Sequence, residues 1–128
     1  MNAYVDTEFG AFAVDLETEE VEPASFAGAE EGPPLALPRV IASAAAGSTI
    51  VAAVDASPPM LISHDAGTTW RESGRGLPRG RAVAIAAENP DVIVYASRNR
   101  LHFSRDGGRF WSSLAVELPE IRGVRLEL

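Results

Sequence analysis

The chain contains no cysteine and no lysine. Without cysteine there is no disulfide, no thiolate metal site and no thiol nucleophile, although that alone does not fix the compartment. Without lysine, all eleven cations are arginine, a usage that genome composition explains as readily as function. Also missing is an apolar run long enough to cross a bilayer. The apolar runs present, such as Ile50-Val51-Ala52-Ala53-Val54, are the size of a strand. A secretory leader needs a basic stretch followed by an apolar one, and the opening MNAYVDTEFG carries Asp6 and Glu8 instead. As given, the chain is expected in the cytoplasm; an extracytoplasmic place follows if it is a fragment.

What is present fits one domain. At 128 residues the chain is long enough to bury a core. Its net charge of -7 is unevenly spread. Residues 1–38 hold nine carboxylates and no cation, while 39–128 hold the other nine and all eleven arginines. Affinity for nucleic acid comes from neutralising phosphates, so this balance predicts no nucleic-acid partner. The acidic segment is a solvated surface or a charged edge that meets an arginine-rich partner.

The sequence repeats itself. SHDAGTTW occupies 63–70 and SRDGGRFW occupies 104–111. At a shift of 41, Ser63 meets Ser104, Asp65 meets Asp106, Gly67 meets Gly108 and Trp70 meets Trp111. The register continues without a gap from Val51 on Val92 to Leu77-Pro78 on Leu118-Pro119 and Arg81 on Arg122. A period in the low forties is that of one four-stranded propeller blade. Within each unit, STIVAAVD and DVIVYAS are short β-rich runs bounded by turn residues, followed by MLIS or RLHFS and then the Asp-Gly turn. Helix caps followed by a 3.6-residue period are missing, so the chain is expected to be all-β.

The two octets match the Asp-box (BNR) pattern Ser-x-Asp-x-Gly-x-x-Trp at each fixed position. Residues 39–128 therefore resemble the Asp-box β-propellers, a group that includes sialidases, sortilin-type receptors, xyloglucanases and photosystem assembly factors. The resemblance implies four-stranded antiparallel blades. It also implies that each octet joins the third strand of a blade to the fourth, away from the usual ligand face. Ser63, Asp65, Gly67, Trp70, Ser104, Asp106, Gly108 and Trp111 are then structural. Short Asp and Ser side chains accept from turn amides, glycine supplies positive φ, and tryptophan folds apolar area beneath the turn. Phe110 departs from the pattern, which more often has Thr or Ser there, as at Thr69.

Residues 1–38 read as a degenerate acidic blade in which Phe12 and Asp15 keep the spacing of Phe103 and Asp106. An Asp-box blade follows over 39–80 and another over 81–121. The stretch 122–128 is the first strand of a further or shared blade. Twelve strands result, about three blades' worth. Pairing 122–128 with the chain's own 2–7 strand is expected to crowd three blades into a closed ring. A homodimer closing a six-bladed ring, with that strand exchanged between copies, relieves the crowding; a fragment of a longer propeller is the rival.

Sites of chemistry are sparse. His64 and His102 are the two histidines, and no metal-ligand spacing appears, so neither a metal nor a cofactor is expected. GRGLPRG at 74–80 lacks the terminal Lys-Ser/Thr of a phosphate loop. The arginine triad, tyrosine nucleophile and Arg-Ile-Pro signature that a sialidase would carry have no counterpart, and no catalytic residue transfers. One asymmetry remains. Arg75, Arg79, Arg81, Arg98 and Arg100, with Glu30 and Glu31, fall on connections that the blade pattern places on one face. Five guanidiniums there would hold a carboxylate, sulfate or phosphate, or they are scattered surface charge. The function expected is a non-catalytic module for protein or acidic-glycan binding and self-assembly. The alternatives are a glycan-acting hydrolase completed by another chain, and a fragment of a longer propeller.

Overall fold

The computed structural model describes residues 1–25 and 32–127. Among them there are twelve strands and no helix: β1 (Asn2–Thr7), β2 (Gly10–Asp15), β3 (Val21–Pro23), β4 (Val40–Ala46), β5 (Thr49–Val54), β6 (Met60–Ser63), β7 (Arg71–Ser73), β8 (Ala82–Ala86), β9 (Asn89–Ala96), β10 (Leu101–Ser104), β11 (Ser112–Ser113) and β12 (Ile121–Glu127). They form three four-stranded antiparallel sheets. The second runs β4-β5-β6-β7, the third β8-β9-β10-β11, and the N-terminal sheet β12-β1-β2-β3.

Period-two alternation decides which side chains lie between the sheets. In the second sheet Val51 and Ala53 stand opposite Ile62 and Met60 on one face. In the third, Val83 and Ile85 stand opposite Tyr95 and Ile93. These two faces pack into one buried cluster. The other face of the third sheet, with Ala84, Val94 and Leu101, packs against Ala3, Val5, Val14 and Val124 of the N-terminal sheet. Strand β8 thus contacts β4 on one side and β12 on the other. The three sheets follow one another in the order second, third, N-terminal.

The expectation about 122–128 is corrected here. β12 pairs with the chain's own β1, from Asn2 opposite Glu127 to Thr7 opposite Ile121, with a bulge at Asp6/Thr7. This pairing places the N-terminal sheet beside the third, so no crowded axis results. Clefts of about 620 and 380 Å3 lie along β4, β8 and β12, lined by Val83 and Val124 among others. The two end faces differ in chemistry. Ser43, Ala52 and Leu61 share a cross-strand row on the outward face of the second sheet. The outward face of the N-terminal sheet carries Tyr4, Asp6, Ala11, Ala13 and Arg125.

Candidate functional site

Both octets join a third strand to a fourth, between β6 and β7 and between β10 and β11. In the first, Ser63 Oγ donates to Asp65 Oδ1 at 2.7 Å and accepts from Gly67 N–H at 2.8 Å. Asp65 accepts from Thr69 N–H at 2.8 Å and from Thr69 Oγ at 2.6 Å. The second octet repeats this plan. Ser104 donates to Asp106 and accepts from Gly108, and Asp106 accepts from the N–H groups of Arg109 and Phe110. Asp15 performs the same task between β2 and β3, accepting from the N–H groups of Glu17 and Thr18. The degenerate copy has kept its acid.

Hydrogen bonds to an ionised carboxylate favour the charged form. The Thr69 hydroxyl and amide, then Ser63, hold the Asp65 carboxyl down to about 2. Asp106 is lowered by the Phe110 amide and Ser104, and Asp15 by the amides of Thr18 and Glu17. All three carboxylates are spent on their own turns. A depressed folded pKa stabilises above the unfolded value, near 3.8 for Asp65, and that contribution fades as pH falls through the folded one. Asp65→Asn should therefore melt below wild type at neutral pH, with the gap narrowing between about pH 4 and pH 2. Parallel melting curves at every pH would remove the carboxylate from the turn's energetics.

The two tryptophans have different surroundings. Trp111 Nε1 donates to Ser73 Oγ at 3.1 Å across the sheet boundary and to Gly108 O at 3.2 Å. A Cβ on Gly108 would lie 2.3 Å from Ile62 Cδ1 of the second sheet, and its φ is +87°. Glycine is required there on both counts. Trp70 Nε1 donates to Gly67 O at 3.1 Å. A Cβ on Gly67 would meet Trp70 and Ile50 of its own sheet, with no neighbouring sheet in reach among the described residues.

The five arginines do not gather as one set. Arg81 and Arg98 share Glu120 Oε1, at 2.9 and 3.6 Å. Arg100 pairs with Glu117 at 2.9 Å, and Arg79 with Asp55 at 3.6 Å. Arg75 makes no ion pair among the described residues and lies instead in a groove beside β7. Glu30 and Glu31 lie outside the described residues. Glu120 was legible as a departure, since the repeat places it on Arg79 and so sets a carboxylate where the preceding unit has a guanidinium. The acidic N-terminal segment reaches other targets. Glu19 accepts from the N–H groups of Ala115 and Val116, and Glu17 pairs with Arg105 at 3.3 Å.

Among the described residues no group of three or more histidine, aspartate or glutamate side chains could hold a metal. His64 is exposed, 3.4 Å from Thr49 Oγ. His102 is buried, with Nδ1 2.7 Å from Ser113 Oγ and Nε2 3.2 Å from Ser97 Oγ. Burial, then the charge of Arg100, lowers its pKa, so it serves as a neutral bridge within its sheet. Tyr95, pushed up to about 12 by burial, donates to Pro78 O at 2.5 Å.

No family model matches the chain, and no curated protein matches it. Among solved structures, the crystal structure of a Niastella koreensis GH74 enzyme is similar at a TM-score of 0.49 and 20% identity. The similarity covers 92% of this chain and 18% of that enzyme. The chain spans less than a fifth of the enzyme's length.

Proposed function

We propose that the chain is a three-blade segment of an Asp-box β-propeller and that it acts as a non-catalytic module for binding and assembly. Each sheet is a blade, with β12, β4 and β8 as inner strands. The unequal surroundings of the two tryptophans carry this proposal. Trp111 is wedged against the preceding blade through Ser73. Trp70, its equivalent one repeat earlier, donates within its own octet to Gly67 O, and no neighbouring sheet among the described residues comes within reach of Gly67. The molecule thus contains two blade-to-blade contacts, second on third and third on N-terminal, and one tryptophan whose counterpart across a boundary is missing among the described residues. The octet carboxylates support a structural role, since turn groups occupy all of them.

The missing counterpart is supplied by a second copy. In a two-fold six-bladed ring the Trp70 flank, with Leu61 at its centre, meets the outward face of the other copy's N-terminal blade. There Tyr4 stands beside Ala13, with Asp6 and Arg125 nearby. Strand β12 stays in its own chain, and exchange is not needed. Sedimentation should give twice the 13.6 kDa of one chain, and Leu61→Glu should yield a folded monomer with little change in melting temperature. A monomeric wild type at all concentrations would overturn self-assembly.

A further inference from the structure

A groove of about 470 Å3 runs along the rim where the second and third sheets meet. It is lined by β7, by the loop 74–77 and by the end of the second octet, Gly108 to Trp111. β7 is the outermost strand of its sheet, and an edge strand presents a row of backbone N–H and C=O groups without partners. Three guanidiniums line the groove, those of Arg71, Arg75 and Arg109. None of the three faces a carboxylate at ion-pair distance among the described residues. Arg71 donates to Gly107 O, which fixes its guanidinium at the wall. Glu72 is the one carboxylate in the lining, and alternation turns its side chain to the opposite face of the sheet from Arg71 and Ser73. Three guanidiniums against one lining carboxylate, in a chain of net charge -7, make this groove unlike the arginine face, where carboxylates pair with the cations.

Phe110 points the same way. In the first octet Thr69 sits at this position and its hydroxyl donates to Asp65. Phe110 gives up that bond and leaves its ring 80% exposed, beside Trp111 at the groove. The turn loses by the exchange, so the ring answers to something outside the turn. An exposed aromatic, three guanidiniums without an ion pair among the described residues and an outermost strand together suit an extended chain with alternating acidic and apolar side chains. We infer that this groove docks an extended acidic segment of a protein partner, which adds to β7 as a further strand. Its backbone pairs with Arg71–Ser73, its carboxylates meet Arg71, Arg75 and Arg109 by charge-assisted bonds, and an apolar side chain rests on Phe110. This rests on the binding-module proposal but not on self-assembly, which sedimentation tests separately.

The experiment is a titration of the ¹⁵N-labelled full chain with an acetylated nonapeptide in which Glu alternates with Phe or Val, followed by amide shifts. The expected result is saturable shifts confined to 71–77 and 107–111, weakening as salt is raised. Phe110→Thr and the double variant R75Q/R109Q should each weaken binding at least tenfold. Phe110→Thr should melt no lower than wild type, because it restores the hydroxyl that Thr69 supplies. No saturable shift, or shifts elsewhere, would overturn the docking site. So would unchanged affinity in both variants, or binding of a sulfated oligosaccharide in the groove while the peptide fails.

Discussion

Trp111→Ala is expected to lower stability by about 3 kcal/mol, the lower end for deleting a large aromatic from a core. The side chain does three things at once. Its indole N–H reaches Ser73 across the boundary between two sheets, its ring meets Tyr95 edge-on at 6.3 Å, and it packs into the cluster that joins those sheets. A loss of that size lowers the melting temperature of a chain this long by roughly 10 °C. Trp70→Ala removes a side chain of the same size but no contact with a neighbouring sheet, so its effect in the monomer should be clearly smaller. Thermal melts of the two variants side by side check the pair. Equal losses would mean that the sheet boundary contributes nothing to what Trp111 does.

The larger effect is expected from removing 121–127. This segment is an end strand of the N-terminal sheet, and it lies against β8 as well as β1. Ile121 and Val124 are buried in the cluster that joins the N-terminal and third sheets. Its loss strips β1 of a ladder partner and opens Ala3, Val5 and Val14 to water. The whole stability of a small domain is about 5–15 kcal/mol, and burying each of several aliphatic side chains contributes about 1.5–3 kcal/mol. The truncated chain should therefore lose its cooperative melt and bind a hydrophobic dye. A truncated chain that still unfolds in one sharp transition near the wild-type temperature would show that the N-terminal sheet holds without β12.

Local features of this fold were legible in the residues, and distant pairings were not. The shift of 41 marked both octets and the strands around them, because periodicity and turn chemistry act over a few residues. Asp15 was visible as a worn counterpart of Asp106 through spacing alone, and it does cap its turn. The neighbour of β1 was not visible. Its choice between a strand in the same chain and one in another depends on where the loop after β3 carries the chain, which side-chain pattern does not encode. For the same reason the arginines read as an open set. Each carboxylate that answers them sits in another loop, and loops meet only after the sheets have packed. Arg75 and Phe110 were both noticed, but their nearness across the rim groove depends on the packing of two sheets.

Because the first strand lies against the last, the order of folding is constrained. β4–β7 and β8–β11 are each built from neighbours in sequence, joined by short turns whose closure costs little entropy. The N-terminal sheet is different, for Asn2 must wait for Glu127. During synthesis β1–β3 have left the ribosome long before β12 exists, with an open edge and Val5 and Val14 unprotected. Contacts this far apart in sequence slow folding, and an exposed strand edge in the interval invites pairing with another chain. Residues 1–38 carry nine carboxylates and no cation, and like charges on neighbouring chains oppose that pairing.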